Sequence, residues 1–246
     1  MTIIYNTVGY LDADVQLEAF FAYDDVIKVP RPAVMISHAW GGRDSFVEEK
    51  AKKLAELGYF GFAVDMYGKG VLGSGPEENA QLMQPFMADR SMLQQRMLAA
   101  LNAVKQFPWV DVQKIAAIGF CFGGLCVLDL ARTGVAIKGV VSFHGLLGAP
   151  GNTEGNTIAA KVLALHGHDD PMAPPEQVLA FQHEMSAQGA DWQLHCYGNT
   201  LHAFTNPMAN DPDFGTVYQA DADRRSWQSM KNFLQEIFTD HLNLNR

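Results

Sequence analysis

The sequence predicts an α/β fold with a mostly parallel sheet, an antiparallel hairpin at its N-terminus and helices on both faces. Three observations lead there. Short unbroken apolar runs alternate with segments of helical period, the pattern of strands buried on both faces. The first two strand-like runs are instead joined by a short polar turn, as in a hairpin. The chain has 246 residues, 48% hydrophobic and only 18% charged, which suits one α/β domain with a large core.

The elements follow in order. Thr2–Val8 and Val15–Tyr23 are rich in β-branched and aromatic residues, with Gly9–Asp14 as the turn between them. Ala33–Ser37 reads as the next strand, Phe46–Leu57 as a helix and Tyr59–Val64 as a strand. Gly68–Asp89 lacks a regular pattern and carries four glycines and two prolines. It follows a strand end, so it is expected as a lid or as a plain surface excursion. Leu93, Met97, Ala100, Leu101 and Val104 then share one helix face. The strands Ile115–Phe120, Ile137–Phe143, Lys161–His166 and Trp192–Tyr197 come next. Val178, Phe181 and Met185 mark a helix before the last of them. Trp227, Met230, Leu234 and Ile237 mark another after it. Gly134 and Gly189 are placed as helix C-caps. No repeat or linker divides the chain, so residues 1–246 are read as a single domain.

Composition excludes several classes. The net charge is −9 and no basic stripe exists, so nucleic acid is not an expected partner. No apolar run approaches ~18 residues, and the N-terminus lacks the pattern of a signal peptide; no membrane association is expected. Three widely spaced cysteines form no Cys-x-x-Cys pair. Reduced thiols fit a cytoplasmic location. His166, His168, Asp169 and Asp170 cluster, but their spacing matches no familiar metal site, so neither metal nor cofactor is expected.

The strongest motif is Gly119-Phe120-Cys121-Phe122-Gly123-Gly124, set between an apolar strand and a helix. This is the Gly-x-nucleophile-x-Gly pattern in its required strand–turn–helix context. A nucleophile that stands clear of a sheet needs a tight, strained turn, and side chains two positions away on either side would collide. The helix start supplies N–H groups and a positive dipole end, which favour the reactive thiolate. The plainer alternative is a small buried cysteine in a tight turn.

Partners for such a nucleophile follow as acid and then histidine. Asp169 and Asp170 lie just after the strand Lys161–His166, and either could serve, or could cap the next helix. His202 lies in the loop after Trp192–Tyr197, where it can reach the nucleophile's proton. His195 lies in a strand, His183 on a helix and His241 near the C-terminus. His144, His166 and His168 end strands and are read first as structural. Oxyanion stabilisation needs two N–H groups. Phe122 offers one, and Trp40 in the turn after Ala33–Ser37 is favoured for the other.

With these residues in view, the chain resembles the dienelactone hydrolase family of the α/β-hydrolase superfamily. The likeness runs through Ala33–Gly42, Ala63–Gly68, Val110–Gly124, Val140–Gly145, Val162–Pro174 and Trp192–Pro207. It implies an eight-stranded sheet and hydrolysis of a small ester or lactone through a Cys-His-Asp triad. The family's nucleophile falls on Cys121 and its His-x-Phe motif on His202 and Phe204. Its acid has a proline four positions on, which selects Asp170, followed by Pro174. A glutamate that the family's best-studied members place in the oxyanion turn matches Ala39 here, beside His38. Their substrate-binding arginine after the histidine matches Asn206. Tyr67 and His144 complete the expected pocket, and Arg43 and Arg90 are the arginines left to clamp an anion. A non-catalytic binding or thiol-sensing protein on the same scaffold is the second reading.

Overall fold

The computed structural model describes residues 1–239; His241 lies outside them. Two long strands open the chain, β1 (Ile3–Asp12) and β2 (Val15–Asp24), paired antiparallel. The register closes at Asp12 opposite Val15, so the turn is only Ala13-Asp14. Gly9–Asp12, expected in the turn, is strand. Ala13 takes a positive φ of 48°, as two-residue hairpin turns require.

The remaining large elements alternate: β3 (Arg31–Ser37), α1 (Ser45–Glu56), β4 (Phe60–Ala63), α2 (Pro76–Ala88), α3 (Arg90–Val104), β5 (Val110–Phe120) and α4 (Phe122–Arg132). Then come β6 (Gly139–Phe143), β7 (Lys161–Gly167), α5 (Pro175–Ala187) and β8 (Trp192–Tyr197). A small ladder, β9 (Asn210–Asp211) with β10 (Thr216–Val217), precedes α6 (Ala220–Phe238). Among the described residues eight strands form one sheet in the order β1-β2-β4-β3-β5-β6-β7-β8. β2 meets β4 antiparallel, and every later pairing is parallel. This is the α/β-hydrolase architecture.

Alternation along the central strands divides the core into two layers. Ala33 and Met35 of β3 face one side with Leu93, Met97 and Leu101 of α3, and with Leu125 and Leu128 of α4. Val34 and Ile36 face the other with Val47 and Leu54 of α1, and with Met230 and Leu234 of α6. The helical stripes read from the sequence are these buried faces. Gly134 and Gly189, with φ of 77° and 68°, follow α4 and α5. Asp44 and Asp89 cap α1 and α3 through their side chains.

The irregular stretch expected over Gly68–Asp89 is half helix. α2 begins with Pro76 at its first turn, where a missing N–H costs nothing, and Pro85 sits in its last turn. No helix among the described residues is long and apolar enough to cross a membrane.

Parallel register fixes where the site must be. Ser37 pairs with Gly119, Phe120 with Phe143, Phe143 with Leu165 and Gly167 with Tyr197. The carboxyl ends of β3, β5, β6, β7 and β8 therefore share one sheet edge. The loops leaving that edge carry Trp40, Cys121, His144, Asp170 and His202.

Candidate active site

Cys121 occupies the junction between β5 and α4 with φ 56° and ψ −119°, a strained conformation for any side chain. The glycines around it are sterically required. A Cβ at Gly119 would lie 2.0 Å from the Gly123 carbonyl oxygen, and one at Gly123 would lie 2.2 Å from that of Ser37. The Cys121 N–H donates to the Phe143 carbonyl at 3.0 Å and to Nδ1 of His144 at 3.1 Å. The turn is thus held from β6, and its side chain remains partly exposed.

Asp170 follows β7 and is buried. Its Oδ2 lies 2.7 Å from Nδ1 of His202, and its Oδ1 accepts from the Met172 N–H at 2.8 Å. A carboxylate accepts only, so Nδ1 carries a proton and Nε2 is left without a carboxylate partner. Asp169 is exposed and makes no hydrogen bond to this pair. His202 is also buried, and its backbone is gripped by the small ladder. Its N–H donates to the Gly215 carbonyl at 3.0 Å, and its carbonyl accepts from Val217 at 3.1 Å. Nε2 has no nitrogen or oxygen partner. Its link to Cys121 is electrostatic: each group shifts the pKa of the other.

Electrostatics couple the two groups. Burial alone would raise the Cys121 thiol pKa. The nearby His202 ring, chiefly through its charge, and the N–H groups of Phe122 and Trp40 outweigh this and bring it below the ordinary value. Burial would likewise lower the His202 pKa, but the Cys121 charge and the bond to Asp170 push it up to about 10. Each group thus favours the charged form of the other. The amides of Trp40 and Phe122 both face the sulfur. Tyr67 fixes this turn by donating its hydroxyl to the Trp40 carbonyl at 2.9 Å, and its ring stacks on Phe122.

Several expected pocket residues are buried or committed to structural hydrogen bonds. His38 is buried, with Nδ1 donating to the Ala39 carbonyl at 2.6 Å and Nε2 accepting from the Met66 N–H at 3.2 Å. Burial lowers its pKa, so it is neutral. His144 is neutral for the same reason, and its Nε2 donates to Thr205 Oγ1 at 2.8 Å. Phe204 is fully buried edge-on to His144. Ala39 and Asn206 are half-buried, and the Asn206 side chain accepts from the Met208 N–H at 3.0 Å. Of the other histidines, His183 is exposed and His195 contacts Ser229 Oγ at 3.2 Å. Thr205, Phe214 and Gly215 went unnoticed in the sequence. Only the nearby Pro212-Asp213 and Gly215 hinted at a turn there. No group of three or more His, Cys, Asp or Glu side chains among the described residues is arranged to hold a metal ion.

Comparison with known proteins gives a consistent picture. The sequence model of the dienelactone hydrolase family matches residues 17–238. A solved structure described as "m3DLH" superposes with a TM-score of 0.93 at 32% identity, covering 97% of this chain and 100% of that one. A dienelactone hydrolase-like promiscuous phosphotriesterase from metagenomic libraries superposes with a TM-score of 0.91 at 36% identity, over the same shares. An uncharacterised protein of Caenorhabditis elegans is 41% identical over 153 residues, 59% of this chain and 94% of that protein.

Proposed function

The chain belongs to the dienelactone hydrolase family, whose members hydrolyse esters and lactones, and from that premise we propose that it works through Cys121, His202 and Asp170. The Cys121 thiolate attacks the carbonyl carbon, and the oxygen takes up the displaced electron pair. The amides of Trp40 and Phe122 hold that oxyanion. His202 then gives its Nε2 proton to the departing alkoxide, leaving an acyl-cysteine and a free alcohol. A water molecule gives its proton to His202 as its oxygen attacks the thioester. The thiolate leaves, and the carboxylic acid is released. Asp170 keeps the ring in the required tautomer and stabilises the imidazolium.

The observation that carries this reading is the buried 2.7 Å contact between Asp170 Oδ2 and His202 Nδ1. It leaves Nε2 unpartnered beside an activated sulfur. Steady turnover also separates this reading from that of a thiol-sensing protein. The test is rapid mixing with p-nitrophenyl acetate. A burst of nitrophenol equal to the enzyme concentration is expected, and Cys121→Ser should abolish it. A Cys121→Ser protein with full turnover would refute the assignment. The metagenomic phosphotriesterase makes phosphate triesters a second substrate class to assay, since a phosphoryl oxygen would seat between the same two amides.

A further inference from the structure

Phe214 is a large apolar side chain left 49% exposed. It stands in the turn between β9 and β10, and its ring stacks on Trp40 with centroids 5.8 Å apart and planes 18° apart. Trp40 is the residue whose N–H faces the Cys121 sulfur. A flat apolar shelf therefore begins at the oxyanion turn itself. The ladder that carries Phe214 is tied to the reacting groups on two sides. It brackets the backbone of His202, and a Cβ on Gly215 would lie 2.3 Å from Pro171 Cγ, next to Asp170. At the other flank of the oxyanion turn, the side chain of exposed Leu72 and the backbone carbonyl of Val71 close over Gly42. Exposed apolar side chains flanking one turn mark a binding surface.

The charges around the shelf work against anions. Asp211 and Asp213 are exposed in the same turn as Phe214. Neither arginine considered as a clamp is free. Arg43 is held by Glu48 and Glu18, and Arg90 makes two 2.6 Å bonds to Asp129. Asn206, matched to the family's arginine, carries no charge.

We propose that the Trp40–Phe214 stack is a subsite for a flat, uncharged aryl group of the substrate, making neutral aryl-bearing esters preferred over anionic lactones. The inference rests on the hydrolase reading above and adds the chemical class. An aryl ring laid on the shelf gains offset stacking that a saturated ring of similar size does not. A carboxylate on that ring meets Asp211 and Asp213, while Arg43 and Arg90 are committed to carboxylates of their own.

The test uses matched esters that differ only in the ring: benzyl acetate against cyclohexylmethyl acetate, and methyl phenylacetate against methyl cyclohexylacetate. Acid release is followed with a pH indicator. For at least one pair, kcat/KM should favour the aryl member by roughly threefold to tenfold. Phe214→Ala and Phe214→Leu should both shrink that ratio toward one, and Phe214→Tyr should keep it. Each ratio is taken within one preparation, so partial unfolding cancels. A carboxylate at the para position of the aryl ring should lower kcat/KM roughly tenfold, and Asp213→Asn should recover part of the loss. p-Nitrophenyl acetate is the control. Its turnover together with equal rates within both ring pairs would overturn the subsite and leave the hydrolase reading standing. An aryl preference unchanged in Phe214→Leu would also overturn it. Failure to turn over p-nitrophenyl acetate would remove the hydrolase reading and the subsite with it.

Discussion

Nδ1 of His144 lies 3.1 Å from the backbone nitrogen of Cys121, and Nε2 of the same ring lies 2.8 Å from Thr205 Oγ1. The ring bridges the nucleophile turn to the loop of His202, packing edge-on to His202 at 5.1 Å. Its positive φ of 39° marks a backbone held by its surroundings. His144→Phe would keep the ring packing and lose both hydrogen bonds. The Cys121 N–H would retain the Phe143 carbonyl, while buried Thr205 would lose its partner. Urea unfolding should show a loss of about 1–3 kcal/mol. A variant as stable as the parent would contradict the bridging role. Its kcat should fall while the pH profile keeps its shape, because neutral His144 holds no proton the reaction uses.

Asp170→Asn should lower kcat by roughly 10⁴, because an amide supports the wrong tautomer of His202 and gives no charge to the imidazolium. Asp169→Asn should change kcat little, since that side chain is exposed and outside the pair. Steady-state kinetics on a short ester checks both. The reverse ranking would move the acid role to Asp169.

Acid should destabilise the fold through its buried neutral histidines. Burial lowers the pKa of His38, His144 and His166 from 6.5. Below 6.5 the unfolded chain takes up protons that the folded protein refuses. Their contribution is therefore complete above about pH 6.5 and is lost as pH falls toward the folded values. Each group sets a slope of about 1.4 kcal/mol per pH unit at most. His202 runs oppositely, its raised pKa favouring the fold below 6.5 and losing that effect toward about 10. Denaturant titrations from about pH 5 to about pH 7 should show stability rising with pH. A flat profile would mean these histidines are not buried neutral.

Much of this was legible in the sequence. The central strands announced themselves as short apolar runs because both of their faces are buried. Cys121 stood out because its turn tolerates only glycine at 119 and 123. Three features were hidden. The helix Pro76–Ala88 was masked by glycines before it, by Pro85 within it and by a face on which only Phe86 is fully buried. The ladder of β9 and β10 has two-residue strands whose order comes from bonds to His202, contacts no local pattern encodes. The short hairpin turn at Ala13-Asp14 was obscured by Gly9, a residue that sits in a strand here. Pairing of His202 with Asp170 across 32 residues was anticipated from the order of the motifs, and the choice over Asp169 from the family resemblance, through Pro174.

The central claim is that Cys121 is a thiolate activated by His202, and alkylation by iodoacetamide tests it most directly. Rates should be followed from about pH 5 to about pH 9, with mass spectrometry locating the label. Cys126 is fully buried, and burial raises its pKa, as it does that of Cys196. The expected result is labelling of Cys121 first, with an inflection below the ordinary thiol value that moves upward and a neutral-pH rate that falls in His202→Ala. Labelling of Cys126 or Cys196 ahead of Cys121, or an unchanged rate in His202→Ala, would contradict the account.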